Sequence, residues 1–123
     1  VETVLRAVST TRVVRDGDVP GCNDYLSRVT ELTPELSDMA IADARGDVVC
    51  RSGTSRAAIN VSDRNYFAAA LAEGGPVTGT YSVGRLSGRA TLPVAMPLAP
   101  DAAWPGGVIA VGLDLEWLGA RLK

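Results

Sequence analysis

Ser62-Asp63-Arg64-Asn65-Tyr66-Phe67-Ala68-Ala69-Ala70 is the stretch on which the fold turns. It reads as the start of a helix. Ser62 has the side chain of a strong N-cap, and Val61 before it can close on Tyr66 four residues later as a hydrophobic staple. Gly74-Gly75 supplies a glycine stop. The segments on either side of this helix read as strands. Upstream, Ser37 to Asp43 carries Met39, Ala40, Ile41 and Ala42, and Asp43-Ala44-Arg45-Gly46 predicts a tight turn, with Asp bonding its own backbone and Gly supplying φ > 0. Asp47 to Ser52 is the return strand, and a loop from Gly53 to Asn60 leads to the helix. Downstream, Val77, Gly79, Tyr81 and Val83 alternate on one face, and Leu86-Ser87-Gly88 turns the chain. Leu92, Val94, Met96 and Leu98 alternate next, with Thr91, Pro93, Ala95 and Pro97 opposite. Two prolines in one strand predict bulges or an exposed edge. After a Pro/Gly-rich loop from Pro100 to Gly107, Val108 to Leu115 is apolar nearly throughout, which predicts a central strand covered on both faces.

The N-terminal region reads as helix. Val1, Val4, Leu5 and Val8 form an amphipathic stripe that ends at Asp16-Gly17-Asp18. A second helix starts with Asp18 as N-cap and Pro20 in its first turn, and its apolar face is Cys22, Tyr25, Leu26, Val29 and Leu32, with Pro34 as the stop. Leu118 to Lys123 is again helix-like. Many hairpins and few long crossovers predict an α+β fold with an antiparallel sheet, in one domain over residues 1–123.

Composition narrows the chemistry. The chain has 123 residues, 46% of them apolar, with a net charge of −2 and no histidine. That charge offers no field for nucleic acid. Without imidazole there is no Ser-His-Asp or Cys-His hydrolase and no His-ligated metal. Two cysteines cannot build a Cys-only zinc or iron–sulfur site. No catalytic residue, metal ligand set or cofactor motif is predicted. No apolar run approaches the roughly 18–20 residues of a membrane span, and Glu2 and Arg6 stand where a signal peptide would need apolar residues. The chain reads as an excised piece of a larger protein, with its targeting and anchoring segments outside it.

Three features carry candidate chemistry. Cys22 and Cys50 match neither a C-x-x-C redox motif nor a zinc knuckle, and two readings stay open: one structural disulfide, which implies an oxidising compartment, or two separate buried thiols. Arg64, Tyr66 and Phe67 fall in the first turns of a helix, where backbone amides and a guanidinium fork can grip a carboxylate. The plainer reading is capping, with both aromatics in the core. Tyr81 and Asp114 lie on strands, as polar anchors of a cleft or as a core phenol and the cap of the last helix. Gly84-Arg85-Leu86-Ser87-Gly88 has the wrong spacing for a nucleophile elbow, and Asn60-Val61-Ser62 is a chance-level glycosylation sequon.

Asp63-Arg64-Asn65-Tyr66-Phe67-Ala68-Ala69-Ala70 resembles the Asp-Arg-x-Tyr-Phe helix start of Cache domains, the PAS-like extracytoplasmic sensor modules of bacterial receptors. The resemblance continues through Val77-Thr78-Gly79-Thr80-Tyr81, Ser87-Gly88-Arg89-Ala90-Thr91-Leu92, Val94-Ala95-Met96-Pro97 and Gly107 to Leu115. Upstream it takes in the hairpin Ile41 to Cys50. It implies a five-stranded antiparallel sheet with N-terminal helices, residues 1–17 as a signalling helix, and one covering helix. It also implies a Cys22–Cys50 disulfide, as in one proteobacterial branch. Such modules sit outside the inner membrane, flanked by transmembrane helices, in front of a kinase, a cyclase or a chemotaxis domain. Many receptors carry two in tandem, and this chain holds one. By position, Arg64 matches the Arg that holds ligand carboxylates, Tyr66 an aromatic beside it, Tyr81 a pocket-lining Tyr, and Asp114 the acid that takes a ligand amino group. The amino-acid-binding pattern has Trp at Tyr66 and an aromatic within the stretch that here reads Ala57-Ala58-Ile59-Asn60. These departures count against a standard amino acid, and the implied ligand is an organic acid or an amino-acid-like molecule, or none. The implied function is small-molecule sensing in a membrane receptor, in which a homodimer is an allowed assembly. The alternatives are a structural or dimerisation module that binds nothing, and a small carboxylate or metal enzyme.

Overall fold

The computed structural model describes residues 2–54, 58–79, 82–83 and 90–117. Among the described residues, four helices and six strand segments are named in chain order. They are α1 Glu2–Ser9, α2 Arg12–Arg15, α3 Val19–Leu32, β1 Leu36–Ala42, β2 Val48–Arg51, α4 Asn65–Glu73, β3 Val77–Thr78, β4 Ser82–Val83, β5 Ala90–Pro97 and β6 Val108–Asp114. The turn at Leu86 to Gly88 and the C-terminal helix over Leu118 to Lys123 lie outside the described residues, as does Tyr81.

The N-terminal stripe forms two helices instead of one. Thr10 Oγ1 donates to the carbonyls of Arg6 and Ala7, and Thr11 Oγ1 to that of Val8, which draws those carbonyls away from the helical ladder. Thr11 is extended, and α2 restarts after it. α3 begins as predicted, with Asp18 accepting from the Gly21 amide and Pro20 in the first turn. Its buried face differs from the expected one. Cys22 and Leu26 are buried, but Tyr25 is 36% and Leu32 79% exposed, and Asn23 is buried in their place. Asn23 is drawn inward because its side-chain oxygen accepts from the Arg51 amide at 2.9 Å. Ser27 Oγ accepts likewise from the Gly53 amide at 3.0 Å. These bonds cover the outer edge of β2, which would otherwise present unpaired backbone. The Cys22–Cys50 disulfide, with Cα atoms 6.0 Å apart, closes the same seam between α3 and β2. Of the two readings of the cysteines, the bridge is the one that forms.

The sheet is antiparallel throughout, in the order β2-β1-β6-β5-β3, with β4 also on the outer side of β5. β3 and β4 pair with different parts of the same strand, so the sheet has five strand positions, as expected, with its last one in two pieces. β6 is central, as its apolar run predicted. β5 is internal and not an edge. Its prolines are tolerated because Pro93 and Pro97 turn their N-less side toward the interrupted neighbour. The Pro93 carbonyl accepts from the Gly79 amide beyond the end of β3, and Pro97 lies past Ala95, the residue that pairs with Val77.

The β1–β2 turn forms as predicted. The Asp43 side chain accepts from the Arg45 and Asp47 amides, and Gly46 has φ 87°. A Cβ on Gly46 would lie 2.7 Å from the Ser62 backbone nitrogen, so this turn also seats the approach to α4. That approach explains why α4 starts later than expected. The Asn60 side-chain oxygen accepts from both the amide and the hydroxyl of Ser62, at 2.9 and 2.6 Å. Ser62 is spent in this Asx turn, and Arg64 becomes the N-cap. The helix ends at Gly74 in the left-handed region, as the glycine pair predicted.

Alternation along the strands separates two faces. Met39, Ile41, Val94, Met96, Ile109 and Val111 pack against Leu5, Val8, Val14 and Leu26 of the N-terminal helices. The other face packs Ala42, Ala95 and Val108 against Val61, Phe67 and Ala70 at and within α4. The molecule is thus helix layer, sheet and covering helix, with its large side chains concentrated on the first face.

Candidate ligand cavity

The second face of the sheet is made of small residues. The register sets Ala40 opposite Ala110 and Ala110 opposite Ala95, and in the next row sets Asp38 opposite Gly112 and Gly112 opposite Pro93. These side chains are too short to fill the space beneath α4. A cavity of about 600 Å³, including its open mouth, lies between them and the start of the helix. Ala40, Ala42, Ala110, Gly112, Pro93 and Thr91 floor it, and Val48, Val61, Arg64 and Tyr66 form its other walls.

Of the four residues expected at a site, Arg64 and Tyr66 border this cavity together. Arg64 is carried at the N-cap, where its amide donates to the Val61 carbonyl and its backbone is extended. The helix amides beside it give the cavity mouth a positive bias toward anions. Asp114 is placed differently. It is 5% exposed and stands opposite Thr91 in register, and its Oδ1 accepts from the Glu116 and Trp117 amides at 3.0 and 3.2 Å. It caps the helical turn that follows β6 and is not among the residues that line the cavity. Tyr81 lies outside the described residues.

Among the described residues, the acid that lines the cavity is Asp38, which the sequence patterns do not single out. The signal was present: Asp38, Ala40 and Ala42 alternate on one face of β1. Burial pushes the Asp38 carboxyl above its usual value of 3.8, against the opposing effects of a hydrogen bond with the Gly112 backbone and the Arg51 charge. The folded protein thus holds this proton more tightly than the unfolded chain. Between pH 3.8 and the raised value the native state binds more protons, so the contribution of Asp38 to stability falls as pH rises through that window. Asp38→Asn should therefore gain stability relative to the parent as pH rises from 3.8, read as the difference in urea midpoint at a series of pH values. A difference that is flat or falls with pH contradicts this.

Among the described residues, no group of three or more acidic or sulfur side chains could hold a metal, and no helix is long and apolar enough to cross a membrane.

No family model matches the chain, and no curated protein does. Solved structures do. The sensor domain of the Vibrio cholerae histidine kinase DctB superposes with a TM-score of 0.81 at 22% identity, over 99% of this chain and 50% of that one. The extracellular domain of rpHK1S-Z16, described as a histidine kinase, gives 0.84 at 25% identity, over 99% and 52%. The sensory domain of the Campylobacter jejuni chemoreceptor Tlp3, with isoleucine bound, gives 0.74 at 12% identity, over 95% and 51%. The fold is therefore that of the Cache-type sensor module, as the resemblance implied. The chain spans about half the length of each of these structures.

Proposed function

We propose that this chain is an extracytoplasmic sensing module of a membrane-bound receptor, and that it holds a small carboxylate-bearing ligand between the sheet and α4. The observation that carries this reading is the meeting of Arg64 and Tyr66 at the head of a helix, over a cavity floored by alanine and glycine. Arg64 is the fork for the carboxylate, Tyr66 is the wall beside it, and Tyr81 is a further hydroxyl that the resemblance assigns to the site. The disulfide agrees with an oxidising compartment, and the neighbours in structure are sensor domains, one of them holding isoleucine. Transmembrane helices outside this chain, and a kinase, cyclase or chemotaxis output, belong to the same proposal.

A route for signalling follows from the layers. β1 and β6 floor the cavity with one face and pack against α1 and α3 with the other. A ligand that prefers one arrangement of these strands biases the N-terminal helices through the same strands.

The test is a thermal-shift screen of organic acids and amino acids on the oxidised protein. A ligand at about a hundred times its Kd adds roughly 2.7 kcal/mol, a rise in Tm on the order of 10 °C for a domain this size. Arg64→Ala should keep the melting temperature of the free protein and lose the ligand-induced rise. A full response in that variant removes Arg64 from the site. Silence across the panel removes the sensing reading and favours a module that only spaces or dimerises.

A further inference from the structure

The connection between β5 and β6, residues 98–107, folds back onto the N-terminal helices. Its ends are drawn together where the Leu98 amide donates to the Gly107 carbonyl at 3.0 Å. Inside it, the Ala102 and Gly107 amides donate to the Ala99 and Trp104 carbonyls, each at 3.0 Å. This compact loop is tied to the corner where α2 gives way to α3. The Ala103 amide donates to the Val14 carbonyl at 3.1 Å. Arg15 Nε lies 3.1 Å from Asp101 Oδ2. Gly17 has φ 70°, and a Cβ there would lie 3.0 Å from the Ala103 Cβ, so glycine is what lets corner and loop close on each other. Ala102 is buried and Trp104 half-buried in the same core cluster as Val14. The loop also meets the cavity. Both strands that it joins floor it, through Thr91 and Pro93 on β5 and through Val108, Ala110 and Gly112 on β6. A Cβ on Gly107 would run into the carbonyl oxygen of Ala42, the cavity residue at the end of β1.

We propose that residues 98–107 are the coupling element of this module, a clasp that makes the cavity floor and the α2–α3 corner move as one body. The proposal rests on the sensing reading for the purpose of the cavity and deepens it, because it names the place where a change at the floor leaves the sheet. Packed side chains alone let a helix slide over its neighbour. A backbone hydrogen bond and a glycine fit at one point fix the position of the corner against the loop. The Arg15–Asp101 pair is exposed on both sides and adds little by itself, so the Ala103 bond and Gly17 carry the clasp.

The test uses the ligand-free oxidised protein and a matched pair of variants. Gly17→Ala drives a wedge into the clasp. Gly53→Ala imposes the same kind of left-handed backbone strain, at φ 84°, where a Cβ would meet nothing within 4 Å among the described residues. In amide NMR spectra, Gly17→Ala should shift Ala103 and, across the loop, Ala110 and Gly112 on the cavity floor. Gly53→Ala should leave them in place. Asp101→Ala, which loosens the clasp without strain, should move the same floor amides to a smaller degree. Coupling should also read in the other direction. Ala110→Leu fills the cavity from its floor, and its change in melting temperature should depart from additivity with that of Gly17→Ala by about 3 °C or more, while adding to that of Gly53→Ala. Floor amides that stay in place in both Gly17→Ala and Asp101→Ala, or melting shifts that add in both pairs, would overturn the proposal. No ligand enters this experiment, so that result would leave the sensing reading standing, and silence in the ligand screen would leave the clasp standing.

Discussion

Reduction of the Cys22–Cys50 bridge is expected to lower the melting temperature by roughly 10–15 °C, and the Cys22→Ser, Cys50→Ser double variant should match the reduced protein. The bridge closes a loop of 28 residues. In the chain-entropy account, its loss restores roughly 3–4 kcal/mol of freedom to the unfolded chain. That is a large share of the roughly 5–15 kcal/mol that stabilises a domain of this kind. The loss also has a local address. β2 is an edge strand, covered on its outer side by Asn23 and Ser27 of α3. Without the bridge, α3 and β2 should open together before the rest, so hydrogen exchange at the Arg51 and Gly53 amides should quicken more than at β6. A reduced protein that melts within a few degrees of the oxidised one contradicts this.

Neighbouring residues of β6 should behave oppositely. Ile109 is fully buried against the N-terminal helices, whereas Ala110 floors the cavity on the other face. Ile109→Ala removes packed methylenes where nothing can collapse to replace them, at about 2–5 kcal/mol. Its ligand response, measured well below its melting temperature, should survive. Ala110→Leu projects into open space instead, so it should shift the melting temperature by only a few degrees and abolish the ligand-induced rise. Chemical denaturation gives the first quantity and thermal shift the second. A cavity-face leucine that leaves the response intact would show that the ligand lies elsewhere.

Much of this arrangement was legible before any coordinates. Period-two patterning gave the strands, the run from Val108 gave the central one, and Asp43 to Gly46 and Gly74 punctuated the chain as their chemistry requires. Ser62 carries a cap signature, but a rival local signal wins, because Asn60 two residues before takes its hydroxyl. The other misses share a cause: side chains whose partners are distant in sequence. Tyr25 looks like the inner face of α3, but Asn23 is drawn in by the bare edge of β2. Pro93 reads as an edge marker, but the strand beside it is broken at that place. At the cavity, the helix start pointed to Arg64 and Tyr66 because that signal is local. Asp38 was passed over because its meaning depends on register with Gly112, 74 positions away. Asp114 shows the reverse case, where the local signal of a cap describes its placement in the fold.

The most direct measurement of the central claim is a backbone amide NMR titration of the oxidised protein with the tightest-binding probe from the screen. The largest shifts should fall at Asp38, Ala40, Ala110, Gly112, Arg64 and Tyr66, with smaller changes passing through β1 and β6 to α1 and α3. Shifts confined to the outer face of α3, or spread evenly over the surface, would contradict a ligand held between the sheet and α4.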